Sequence, residues 1–85
     1  MQDQVDSTNT TAPLVFYTTA GCQLCEMAEN ILYAQRVEFT RVDIEQELML
    51  IKQYGTRIPV LKDHRGRELG WPFDGDQLSR WISGA

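Results

Sequence analysis

The sequence predicts one α/β domain with the element order β-α-β-α-β-β-α, and three observations carry that prediction. The run Leu14-Val15-Phe16-Tyr17 is continuously apolar and β-favouring, and from Cys25 onward the apolar residues switch to helical spacing before a second strand-like run begins at Val37. Strand, helix and strand in that order imply a parallel pair joined by a right-handed crossover. Two later strand-like runs flank Asp63-His64-Arg65-Gly66, the composition of a hairpin turn. Between the first strand and the first helix lie Cys22 and Cys25, the only cysteines of the chain.

Each element follows from its residues. Pro13 bounds the first strand, and Thr18-Thr19-Ala20-Gly21 ends it; an apolar run with no alternation reads as a central strand buried on both faces. Ala28, Ile31 and Leu32 form one face of a helix reaching about Ala34, with Glu26, Glu29, Asn30 and Gln35 on the other. Residues 37–44 make the second strand, whose apolar positions change parity between Phe39 and Val42, as expected near a sheet edge. Glu45-Gln46-Glu47 then open a second helix with acids at its positive end, Lys52 near its negative end and Gly55 as its stop. In Arg57-Ile58-Pro59-Val60-Leu61 the proline cannot donate to a ladder and marks an edge, an end or a bulge. Arg67 to Trp71 returns from the turn. Asp74 is then the N-cap of a last helix, with Gln77 as its capping-box partner and Leu78, Trp81 and Ile82 as its apolar face.

Residues 1–13 are expected to form a disordered tail, because Gln, Asp, Ser, Thr and Asn offer little apolar surface against the entropy of ordering. The 85 residues carry a net charge of −4, of which Asp3 and Asp6 in the tail supply half. That balance excludes the clustered basic face of a nucleic-acid-binding module. There is neither an apolar run of the roughly 20 residues that span a bilayer nor a secretory leader, so a cytoplasmic location away from membranes is expected. In that reducing setting a lone cysteine pair reads as catalytic or metal-binding rather than as a permanent staple.

Cys22 falls at a helix start, where unpaired N–H groups and the helix dipole favour a thiolate. Cys25, almost one turn further in, can close a small disulfide ring with it, so Cys22 is the expected nucleophile and Cys25 the more buried resolving thiol. A buried apolar pair without redox chemistry is the bland alternative. Two cysteines and His64 fall short of the roughly four ligands of a zinc site, so no metal is assigned and His64 reads as a solvated turn residue. Lys62, His64, Arg65 and Arg67 make a locally basic hairpin, interrupted by Asp63 and Glu68 and expected to be solvated.

Taken in order, Leu14-Val15-Phe16-Tyr17, Cys22-Gln23-Leu24-Cys25, Tyr54-Gly55-Thr56-Arg57-Ile58-Pro59-Val60 and the approach from Gly70 to Asp74 resemble the thioredoxin superfamily, and within it the small glutaredoxin-like proteins of bacteria. The resemblance covers roughly residues 14–83. It implies a thioredoxin-like fold with a four-stranded mixed sheet flanked by helices, a cis bond before Pro59, and a substrate site where Arg57, Ile58 and Pro59 lie beside the dithiol. In that arrangement free backbone groups of Ile58 would pair with an extended substrate. Trp71 and Asp74 would neighbour a glutathione site. The implied activity is thiol-disulfide exchange on protein or small-molecule disulfides by a monomer with no bound cofactor, reset by glutathione as co-substrate or by a thioredoxin reductase. A binding or adaptor domain of the same fold with little turnover is the alternative. The middle pair Gln23-Leu24 differs from both the Pro-Tyr of glutaredoxins and the Gly-Pro of thioredoxins.

Overall fold

A computed structural model describes residues 13–84. The tail assigned to residues 1–13 lies, Pro13 apart, outside the described residues. Strand β1 (Leu14–Thr18) leads through a turn to helix α1 (Gln23–Ala34), which returns to β2 (Phe39–Asp43). A 3-10 turn (Ile44–Gln46) and helix α2 (Leu48–Tyr54) precede the hairpin of β3 (Val60–Lys62) and β4 (Glu68–Gly70), and helix α3 (Gly75–Ile82) closes the fold. The sheet order is β2-β1-β3-β4; β1 and β2 are parallel, and β3 runs antiparallel to both β1 and β4. This is the four-stranded mixed sheet of a thioredoxin-like fold.

Period-two alternation divides the apolar residues of the central strands between two cores. Phe16 and Leu61 point to one face, where Cys25, Ala28 and Leu32 of α1, Phe73 and Leu78 of α3 complete the larger cluster. Tyr17 and Val60 point to the other and meet Ile44, Leu50 and Tyr54, with the Tyr17 and Tyr54 rings stacked at 4.2 Å. Both faces of β1 are thereby covered, which is why its sequence is apolar without alternation.

The ends of α1 set its angle on the sheet. Gly21 takes a positive φ of 76°, turning the chain so that Cys22 becomes the N-cap. At the other end the Arg36 N–H bonds the Tyr33 carbonyl and the Val37 N–H bonds that of Leu32, a Schellman closure that places Arg36 at φ 57°. Both arms of the expected Asp74–Gln77 capping box are present on α3.

The helices differ in detail from their local reading. The helix read as starting at Glu45 is two elements: the Asp43 carboxylate caps the Glu45 N–H at 2.9 Å, and Glu47, extended at φ −141°, separates the short 3-10 turn from α2. Gly55 ends α2 without a left-handed turn; its φ is −52°, and a Cβ there would lie 2.5 Å from the Ile51 carbonyl oxygen, so space rather than conformation requires glycine. Only Leu50 and Tyr54 of α2 face the sheet, while Leu48 and Met49 are 66% and 69% exposed. Ile82, assigned to the buried face of α3, is likewise exposed.

The hairpin departs from a solvated turn as well. The Asp63 carboxylate, with only 6% of its side chain exposed, accepts from the backbone N–H groups of Arg65 and Arg67 and pairs with Arg67 Nε at 2.7 Å. Burial alone would push this carboxyl up, but the hydrogen bonds from Arg67 and Arg65 outweigh it and hold it below the usual range. Arg67 also donates to the Trp81 carbonyl and lies over the indole at 5.1 Å, tying the turn to α3. His64 is exposed, as expected of a turn residue.

Candidate functional site

The dithiol sits where the sheet ends. β1 and β2 are parallel and in register from Leu14–Phe39 to Thr18–Asp43, so both strands deliver their C-terminal residues to the same edge. Cys22 is half-buried at the N-cap of α1, and its sulfur accepts the Cys25 N–H at 3.1 Å. Cys25 is 2% exposed, among Phe16, Ala28 and Leu32. The two sulfurs are at disulfide-bonding distance, with Cα atoms 5.2 Å apart. One sulfur thus faces outward amid helix-terminal N–H groups, and the other is held in the core behind it.

A cleft of about 300 Å³ opens beside the pair, lined by the turn from Thr18 to Gly21 and by Glu26, Glu29, Arg41 and Asp43. Glu29 and Arg41 form an ion pair, and Arg41 also donates to the Tyr33 hydroxyl. The Thr19 hydroxyl donates to Asp43 at 3.0 Å, fastening the turn to the end of β2. Sequence reasoning overlooked Glu29, Arg41 and Asp43 at this site: strand register brings Arg41 and Asp43 there, and Glu29 comes from α1, one turn beyond Cys25. The available signals were Asp43 at the end of a strand predicted to lie parallel to the first, and Glu29 at i+4 from Cys25 on the predicted helix.

Of the residues expected on the substrate side, Arg57 and the Ile58 N–H are engaged within the protein. Arg57 does not line the cleft: its guanidinium pairs with Glu68 on β4 and lies 5.1 Å above the Tyr54 ring. The Ile58 N–H is not free for a substrate strand, since it bonds the Tyr54 carbonyl at 3.0 Å; the tight turn after α2 directs it there. Pro59 is fully buried at the end of the loop, immediately before β3, and its carbonyl accepts the Trp71 N–H. The Ile58–Pro59 and Trp71–Pro72 bonds are both cis. Ile58 and Trp71 pack, like Cys22, against the larger core cluster, whereas Asp74 is engaged as the cap of α3. Among the described residues no group of three or more His, Cys, Asp or Glu is arranged to hold a metal ion, and no helix is long and apolar enough to cross a membrane.

Glu68 holds this loop from the sheet side. It accepts from the Tyr54 hydroxyl at 2.7 Å and from Arg57. The Tyr54 hydrogen bond first, then that of Arg57, keep its carboxyl below the ordinary glutamate value, while burial and the same carboxylate push the Tyr54 phenol above its usual range. A depressed carboxyl stabilises the fold above its unfolded value of 4.5 and loses that contribution as pH falls through the lower folded value. Urea midpoints measured from pH 7 to pH 3 should therefore fall less steeply on the acid side for Glu68→Gln than for the unsubstituted chain. Equal slopes would show that the loop draws no stability from this carboxylate.

A cysteine pair at the N-cap of the first helix, on a β-α-β-α-β-β-α mixed sheet, defines a thioredoxin-superfamily protein of glutaredoxin-like, redox type. Residues 13–83 match the model of the Glutaredoxin-like domain (DUF836), and the chain belongs to that family. Its fold is similar to the crystal structure of the structural genomics target XcR50 from X. campestris, with a TM-score of 0.80 and 41% identity over 85% of this chain and 97% of that one. The solution structure of XcR50 gives a TM-score of 0.79 at 40% identity, covering 87% of this chain and 96% of that one. The solution structure of Ne2328 from Nitrosomonas europaea gives 0.65 at 29% identity, covering 95% and 98%. No curated protein matches the chain significantly.

Proposed function

We propose that the chain is a thiol-disulfide oxidoreductase of glutaredoxin-like type, working through Cys22 and Cys25. The observation that carries this reading is the asymmetry of the pair: the Cys22 sulfur is half-buried and accepts an N–H at a helix N-terminus, while Cys25 is buried within bonding distance of it. An N–H donated to sulfur stabilises the thiolate more than the thiol, which is what a nucleophile for disulfides needs.

In the cycle, the Cys22 thiolate attacks one sulfur of a substrate disulfide; that S–S bond breaks, and the first product leaves as a thiolate that takes up a proton. Cys25 then gives up its proton and attacks the Cys22 sulfur, breaking the mixed disulfide and releasing the second thiol. Two electrons pass from the dithiol to the substrate, and the Cys22–Cys25 bond forms. No bound cofactor is required because the sulfurs carry the electrons. Protein or small-molecule disulfides are the substrate class, with glutathione or a thioredoxin reductase restoring the dithiol in a reducing, cytoplasmic setting.

The pH dependence of Cys22 alkylation in the reduced protein, together with equilibration in glutathione buffers, tests this. A thiol pKa below the free-cysteine value of about 8.5, with measurable exchange, is expected. A pKa at or above that value without exchange would overturn the reading in favour of a binding domain.

A further inference from the structure

Within the exchange activity proposed above, on which this inference rests, we propose that the cleft beside the dithiol selects disulfides by charge, favouring those with cationic groups near their sulfurs over net anions such as oxidised glutathione. Three carboxylates, Glu26, Glu29 and Asp43, face a single guanidinium, Arg41, in the cleft that Cys22 and Cys25 line. Its formal charge is −2. Arg41 is already paired with Glu29 and donates to the Tyr33 hydroxyl, so its positive charge is offset inside the cleft before any substrate arrives. Asp43 accepts from Thr19 and from the Glu45 N–H, neutral donors that fix the carboxylate in place without cancelling its charge. Glu26, exposed in the first turn of α1, has no ion pair among the described residues. Arg57, expected beside the dithiol, pairs with Glu68 and lies outside the cleft.

The dithiol supplies the independent reason that a disulfide enters this cleft, and the carboxylates act on the charge it brings. Approach of an anion is slowed and that of a cation hastened, by factors of about 10 to 1,000 where a cleft focuses the field. The exchange step adds to this, since a leaving thiolate develops negative charge beside the carboxylates and an ammonium near that sulfur offsets it. Each half of oxidised glutathione is a net anion, whereas cystamine is a dication.

The test compares the reduced protein's reaction with cystamine, with neutral hydroxyethyl disulfide and with oxidised glutathione, each rate divided by that of the same disulfide with dithiothreitol. At low ionic strength the normalised rates should order cystamine, hydroxyethyl disulfide, glutathione, with about tenfold or more between the extremes. The spread should contract near 0.15 M salt, where the screening length is about 8 Å. Glu26→Lys should lower the cystamine-to-glutathione ratio, a quotient from which the thiolate fraction cancels. Reaction with all three at equal normalised rates, or fastest with glutathione, overturns charge selection and leaves the exchange activity standing. No reaction with any of them overturns the exchange activity itself, and this inference with it.

Discussion

Cys22→Ser should reduce disulfide exchange to the rate seen without protein, while Cys25→Ser should keep the first attack and accumulate a mixed disulfide on Cys22. The asymmetry follows from where the sulfurs lie. Only Cys22 is at the N-cap and reachable from outside, so no other sulfur in the chain can begin the reaction. Cys25, 2% exposed, contributes after a substrate sulfur is already bound to Cys22, and without it that adduct has no internal thiol to resolve it. Mass spectrometry of each variant after reaction with a small disulfide distinguishes the two. An adduct on Cys25 in Cys22→Ser, with exchange retained, would show that the roles are reversed.

The largest effect on stability is expected from Phe16→Ala. Phe16 is fully buried in the core cluster that holds Cys25, and its ring meets Phe39 edge-on at 5.4 Å between centroids. Truncating a buried phenylalanine to alanine costs about 3–5 kcal/mol, the lost transfer energy plus a cavity that the surroundings fill only in part. Small domains have about 5–15 kcal/mol in total, so the variant should be marginal, with a urea midpoint far below that of the unsubstituted chain. A loss under about 1 kcal/mol would mean that the strand collapses onto α1 without a cavity, and that the core behind the resolving thiol is more plastic than its packing indicates.

These two sites differ in how legible they are before folding. Cys22 and Cys25 announce themselves by spacing and by position between a strand and a helix, and the structure puts them at that junction. The apolar run of β1, the edge position of β2 and the end of a strand pairing at Pro59 follow from equally local chemistry: a strand covered on both faces needs no polar alternation, and a proline has no N–H for the ladder. The capping box of α3 is likewise a contact over three residues.

Helix α2 shows where local reading fails. Leu48, Met49, Leu50 and Ile51 are all apolar, and their spacing cannot say which of them faces the sheet. The Asp43 cap and the extended Glu47 divide what composition presents as one helix. Arg57 shows the same limit for charge. Its position two residues before Pro59 suggested a place beside the dithiol, yet the partner that captures it, Glu68, comes from a strand eleven residues later.

By itself, then, the sequence determined the order of elements, the central strand, the cap of α3 and the two sulfurs, because each depends on residues within about one turn or one strand of each other. Tertiary structure alone decided what surrounds those sulfurs. The parallel register that sets Thr18 opposite Asp43 brings Arg41 and Asp43 to the cleft, and the packing of β4 against β3 gives Arg57 and Tyr54 to Glu68. Pairings of this kind are fixed by how strands align and which faces are buried, and no short-range pattern encodes them.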